Sequence, residues 1–162
     1  MSLYIRPRTP EDESFLYQLA YDNFYEQLFA HAWHPDVRGP LLRIQVDGQR
    51  TSYAAEFPNA DYGIIEYDGR SIGRLIVDRR PDLHHLVDIL IAREYRKKGI
   101  GTWLLRALCT EAELMQKPLR LSVLTTNPAK ALYLRLGFRL LEDQQMTLVM
   151  ERAPGATILV QP

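Results

Sequence analysis

The sequence predicts a single α/β domain with a central mixed sheet flanked by helices, and three observations carry that prediction. The chain has 162 residues, the size of one domain with one core. Two strand-like runs, HHLVDILIA (84 to 92) and LRLSVLT (119 to 125), enclose an amphipathic helical pattern. A strand, helix, strand order of this kind closes by a right-handed crossover and makes the two strands parallel. The runs DYGIIEY (61 to 67) and SIGRLIVDR (71 to 79) flank Asp68-Gly69, a hairpin signal that makes that pair antiparallel. A sheet holding both connections is mixed.

The elements follow in order. LYIR (3 to 6) reads as a short strand, and Thr9 and Pro10 read as the N-cap and first position of a helix with acids in its first turn. From 14 to 33 the chain is unusually aromatic, with Phe15, Tyr17, Tyr21, Phe24, Tyr25, Phe29 and Trp33. A second helix is expected within 36 to 57, interrupted by Gly39-Pro40 and Gly48. After the hairpin, Pro81-Asp82 breaks the chain before 84 to 92, whose near-continuous apolar run suits a central strand covered on both faces. Ile100, Trp103, Leu104, Ala107 and Leu108 then form the apolar stripe of a helix that ends before Pro118. Asn127 and Pro128 open a further helix, with Ala129, Leu132, Tyr133 and Leu136 as its stripe and Gly137 as its stop. Residues 138 to 141 and 145 to 150 are expected as strands around Glu142-Asp143-Gln144. The domain is expected over 1 to 152, with 153 to 162 as a C-terminal tail.

Composition excludes several classes. Lys plus Arg and Asp plus Glu number 20 each, for a net charge of zero, so the broad basic face that nucleic-acid binding draws on is missing. A single cysteine, Cys109, and four histidines offer neither a disulfide nor a zinc cluster. With no signal-like N-terminus and no apolar run near 20 residues, the expectation is a protein of the reducing cytoplasm without a membrane partner.

Residues Arg96, Lys97 and Lys98 run into Gly99-Ile100-Gly101 and then into a helical pattern. A helix start built on glycine leaves backbone N–H groups unpaired at the positive end of the helix dipole, and phosphate oxygens bind well there. The bland alternative is a solvated basic loop. The dinucleotide fingerprint wants a third glycine where Leu104 stands, and the P-loop wants Gly-Lys-Ser/Thr. Neither NAD nor ATP is favoured.

The strand at 84 to 92, Arg96-Lys-Lys-Gly-Ile-Gly101, the helix, the strand at 119 to 125, and Asn127-Pro-Ala-Lys-Ala-Leu-Tyr133 ending in Gly137-Phe138 together resemble the GNAT superfamily of N-acetyltransferases. The resemblance spans residues 84 to 140. It implies a GNAT-like fold in which the two parallel strands splay apart, and acetyl-coenzyme A as co-substrate. By position it implies that Arg96, Lys97, Lys98, Gly99, Ile100, Gly101 and Thr102 cradle the pyrophosphate. The pantetheine arm would then lie beside Ile89, Leu90 and Ile91, with Asn127 on the cofactor's amide or simply capping its helix. The implied reaction is transfer of acetyl to a primary amine, on a small molecule or a protein terminus, by direct attack through a tetrahedral intermediate. Tyr133 matches the family's general acid, and its alternative is a core tyrosine.

The base is sought among the residues themselves. Asp88 is a carboxylate inside an apolar strand, where desolvation is expected to raise its pKa; a buried structural carboxylate is the competing reading. His84 and His85 are alternatives that point to opposite faces, and a water chain is a further one within the family. Aromatic residues 21 to 33 and Glu142 to Gln145 are the expected acceptor region, suited to a cationic amine, although Tyr21, Phe24, Tyr25 and Phe29 also fit core or dimer surface. His31 and His34 read as loop residues, and no metal is required. Two rivals stand beside the enzyme: a non-catalytic acyl-coenzyme A binding or sensing module, and a helical partner-binding protein. A homodimer is left open, and the apolar segment Ala156 to Val160 could add to a sheet edge.

Overall fold

The computed structural model describes residues 2–156; residues 157 to 160 of the apolar ATILV segment lie outside them. Among the described residues seven strands form one mixed sheet, with one parallel pair and the rest antiparallel, in the order β1-β2-β3-β4-β5-β7-β6. In chain order these are β1 (Leu3–Pro7), α1 (Glu13–Gln27), α2 (Pro35–Glu56), β2 (Asp61–Tyr67), β3 (Arg70–Arg79), β4 (His84–Ile91), α3 (Ile100–Leu114), β5 (Leu119–Leu124), α4 (Lys130–Arg135), β6 (Arg139–Asp143) and β7 (Thr147–Arg152). The described backbone groups into two compact units, one of residues 2–75 and 90–94, the other of 76–89 and 95–156.

In the first unit β1 pairs antiparallel with β2, from Leu3 opposite Tyr67 to Pro7 opposite Gly63. Asp68 (φ 46°) and Gly69 (φ 77°) turn β2 into β3 with two left-handed residues, the geometry that matches strand twist in a two-residue hairpin. At the start of α1, the Asp12 carboxylate accepts the Thr9 N–H at 2.8 Å and both arms of the Arg6 guanidinium at 2.8 Å. The first turn, Pro10–Asp12, is 3-10, so the α-helix proper begins three residues later than its proline. Helix α2 corrects the sequence reading, because it runs unbroken through Gly39, Pro40 and Gly48 for 22 residues. Pro40 forfeits one backbone bond, that to Asp36. The remaining ladder and the burial of Leu42 and Val46 on a helix that packs against α1 outweigh it.

In the second unit α3 buries Ile100, Leu104, Leu105, Leu108, Cys109 and Ala112. This stripe is rotated from the expected one, and Trp103 and Ala107 are exposed. Arg152, buried on β7, gathers the unit's far end. It donates to the Leu136 carbonyl (2.9 Å), the Glu113 carboxylate (2.8 Å) and the Ala156 carbonyl (3.1 Å). Glu113 also accepts the Gly155 N–H at 2.8 Å, so residues 153 to 156 are tied to α3. Glu142 and Asp143, expected in the last hairpin turn, belong to β6, and the tip is Gln144 to Met146. No helix among the described residues is long and apolar enough to cross a membrane.

Candidate functional site

The glycine turn is not the direct strand-to-helix junction read from the sequence. A 3-10 turn, Arg93–Tyr95, follows β4, and residues 96 to 99 then lead into α3. Lys97 (φ 60°) and Gly99 (φ 79°) are both left-handed. Gly99 is the N-cap and has no side chain to serve as a cap. A Cβ built there would meet nothing within 4 Å, so glycine is required by its φ and the space above it is open. The first intrahelical bond of α3 runs from the Trp103 N–H to the Gly99 carbonyl at 2.9 Å, which leaves the N–H groups of Ile100, Gly101 and Thr102 without a place in the helical ladder. Lys97 and Lys98 are exposed, Lys98 with its Nζ 5.3 Å from the centre of the Tyr95 ring; Arg96 is half-buried. Open backbone donors, a helix dipole and cations on one short loop fit a diphosphate.

Beside the turn the parallel pair opens. The β4–β5 register runs from His84 opposite Leu119 to Leu86 opposite Leu121. Strand β4 continues to Ile91, whereas Ser122 to Leu124 of β5 pair only with β7, up to Leu124 opposite Thr147. Val87, Asp88 and Ile89 therefore leave β5 while still extended, as the resemblance implies. Gly73 was not singled out from the sequence and positions the end of β4. A Cβ there would lie 2.4 Å from the Leu90 carbonyl oxygen and 3.2 Å from the Ile91 Cα. A lone glycine inside a strand pattern is the signal for such close backbone approach.

The candidate catalytic groups differ in setting. Tyr133 is half-buried on α4 with its ring edge-on to Phe138, centroids 5.8 Å apart. Burial alone raises its pKa above the ordinary tyrosine value, so its hydroxyl stays protonated. Asn127 accepts the Ala129 N–H at 2.9 Å and caps the turn before α4, which begins at Lys130, later than the sequence implied. Asp88 is half-buried on β4. His84 is 1% exposed, and neither ring nitrogen has a hydrogen-bond partner. Burial lowers its pKa, and a sealed core histidine is no proton relay to solvent. His85 is half-buried on the opposite face.

The aromatic segment also departs from expectation. Tyr21, Phe24 and Tyr25 are half-buried rather than core, and Phe29 is 69% exposed with φ 52°. Cations of the chain itself already lie over several tyrosine faces: Arg38 at 5.7 Å from the Tyr25 ring and Arg50 at 5.9 Å from Tyr17. His31 sits in the 3-10 turn Ala30–Ala32, and His34 caps α2 by accepting the Asp36 N–H at 3.2 Å. Among the described residues no three of His, Cys, Asp and Glu gather as a metal site would need.

A glycine turn with open backbone donors and a parallel pair that splays apart match the GNAT-like fold that the resemblance implies. The family model described as an acetyltransferase (GNAT) domain matches residues 58–140, just over half of the chain. The chain belongs to the GNAT acetyltransferase family. Solved structures agree on the fold. The PaiA N-acetyltransferase of Thermoplasma acidophilum, in complex with coenzyme A, is 19% identical with a TM-score of 0.69, over 94% of this chain and 99% of that one. The ribosomal-protein-S18-alanine N-acetyltransferase of Escherichia coli is 19% identical with a TM-score of 0.63, over 99% of this chain and 97% of that one. A Corynebacterium glutamicum structure described as histone acetyltransferase HPA2 and related acetyltransferase is 21% identical with a TM-score of 0.65, over 98% and 100%. No curated protein sequence matches the chain.

Proposed function

We propose that the chain is an N-acetyltransferase that moves acetyl from acetyl-coenzyme A to a primary amine by direct attack, with residues 1 to 152 as the catalytic domain. The observation that carries this reading is that one unit holds both the Gly99 turn, which fits a diphosphate, and the β4–β5 pair, which opens after Leu86. That a family member binds coenzyme A in the PaiA complex supports the choice of donor.

In this reading the N–H groups of Ile100, Gly101 and Thr102 hold the pyrophosphate, and Lys97, Lys98 and Arg96 neutralise it. The edge of Ile89, Leu90 and Ile91 takes the pantetheine arm in the manner of an added strand. Backbone N–H groups at the splay stabilise the oxyanion as the amine attacks. Tyr133 delivers a proton to the leaving thiolate, its hydroxyl being protonated at neutral pH. Asp88, half-buried on the strand that leaves β5, receives the proton of the amine directly or through water.

The test is calorimetric titration of acetyl-coenzyme A beside ATP and NAD, followed by a thiol-release assay over a panel of amines. Selective micromolar binding of the acyl donor and amine-dependent thiol release are expected. Equal binding of all three nucleotides would reduce the turn to a basic loop and overturn the reading.

A further inference from the structure

Trp103 is the residue at which helix α3 departs furthest from its sequence pattern. The spacing assigns it to the apolar stripe, yet it is 55% exposed, and an indole left in water forgoes much of the stabilisation that a buried aromatic contributes. Its helical neighbours do not cover it. Four residues back stands Gly99, with no side chain and open space around it, and four residues on stands Ala107, itself exposed. Side chains on a helix lean toward its N-terminus. That direction leads from Trp103 toward Gly99 at the helix start, four residues or about 6 Å back along the axis.

Two exposed cations, Lys98 and Arg106, precede and follow Trp103 in the chain. A flat apolar face with flanking cations, next to backbone donors for a diphosphate, suits a ligand that carries a heteroaromatic base and phosphate at one end. Coenzyme A is such a ligand: an adenine and a phosphorylated ribose follow its pyrophosphate. The geometry points to Trp103 as the stacking platform for the adenine of the acyl donor, with Arg106, three residues on along the same helix, for the ribose phosphate. This assignment rests on the acyl-coenzyme A reading above and adds to it the residue that grips the nucleotide end.

The test compares coenzyme A with pantetheine, which lacks the nucleotide, in calorimetric titrations of the unaltered protein and of Trp103→Leu and Trp103→Phe. Base–aromatic stacking predicts that Trp103→Leu weakens coenzyme A about tenfold. Trp103→Phe, which keeps a ring, restores most of that loss, and pantetheine binding is equal in all three proteins. In a Trp33→Phe background, where Trp103 is the remaining tryptophan, adenosine 3′,5′-bisphosphate should quench its fluorescence. Undiminished coenzyme A affinity in Trp103→Leu, or equal weakening of coenzyme A and pantetheine, overturns the stacking role while leaving the donor assignment standing. No coenzyme A binding by the unaltered protein removes both.

Discussion

A tyrosine can act as a general acid only while it keeps its proton, and Tyr133 is placed to keep it. Burial raises its pKa above 10.0, so the acid form persists through neutral pH and beyond the range in which a solvated tyrosine would ionise. Tyr133→Phe should lower kcat by about a hundredfold, the usual scale for losing a positioned acid, with acetyl-coenzyme A affinity within about twofold. The alkaline limb of the kcat profile assigned to this group should lie above pH 10.0. Turnover that survives the change would return Tyr133 to the packing role its spacing also allowed. Asp12 is the structural counterpart. The Arg6 guanidinium and the Thr9 N–H hold its carboxyl well below the ordinary carboxylate range. A depressed pKa contributes stability that is present above the unfolded value of 3.8 and is lost as pH falls through the folded value. Asp12→Asn should cost about 2 kcal/mol at pH 7 in urea unfolding, the scale of hydrogen bonds to charge, with the difference from the parent shrinking in strong acid.

At the level of elements, β4 carries the most weight and was also the most legible. Its near-continuous apolar run and the alternation of β5 are local signals that survive folding because each strand is fixed by its own residues against a sheet. Helix α2 was less legible, because Pro40 and Gly48 are local breaking signals that a long, packed helix tolerates. The phase of α3 was misread for a related reason. Ile100, Leu104 and Leu108 belong to both candidate stripes, and only contacts distant in sequence decide whether Trp103 or Leu105 completes the set. The glycine turn could be read because residues 96 to 102 are contiguous, whereas a pocket assembled from separate elements leaves no contiguous signature. Gly73 marks the limit of the strand reading. Adding a methyl group 2.4 Å from the Leu90 carbonyl oxygen forces backbone to move. Gly73→Ala should therefore cost about 1–3 kcal/mol and raise the KM for acetyl-coenzyme A through the displaced edge at Leu90 and Ile91; an unchanged melting temperature and KM would show that β3 and β4 do not need this close approach. At the other end of β4, His84 is buried neutral, with a pKa below the unfolded value of 6.5. Below pH 6.5 the unfolded chain takes up a proton that the folded chain refuses, so stability falls as pH drops toward the folded pKa. His84→Leu should flatten that dependence between pH 5 and 7 in thermal melts, and an unchanged slope would assign the acid sensitivity elsewhere.

For the molecule as a whole, the relevant quantity is how far donor binding shifts the folding equilibrium. The chain has no net charge at pH 7, so in the proposed reading the attraction of an anionic donor rests on the few cations between Arg96 and Lys98. A ligand that binds only the folded state stabilises it by RT ln(1 + [L]/Kd), about 2.7 kcal/mol at a hundredfold excess over Kd. For a chain of this length that corresponds to a rise in Tm of about 5–10 °C. Acetyl-coenzyme A should produce that rise in a thermal melt and NAD should not. Because the attracting charge is local and exposed, raising salt from 0.05 to 0.5 M, which shortens the screening length to only a few Å, should weaken Kd. The Tm rise at fixed donor concentration should shrink accordingly, while the melt of the free protein moves much less. Replacing Lys97 and Lys98 together by Gln should remove most of that salt dependence and leave the remaining affinity to the backbone donors of α3. A donor-induced shift insensitive both to salt and to the double substitution would mean that the cations before Gly99 are solvated bystanders and that the helix N-terminus alone holds the diphosphate.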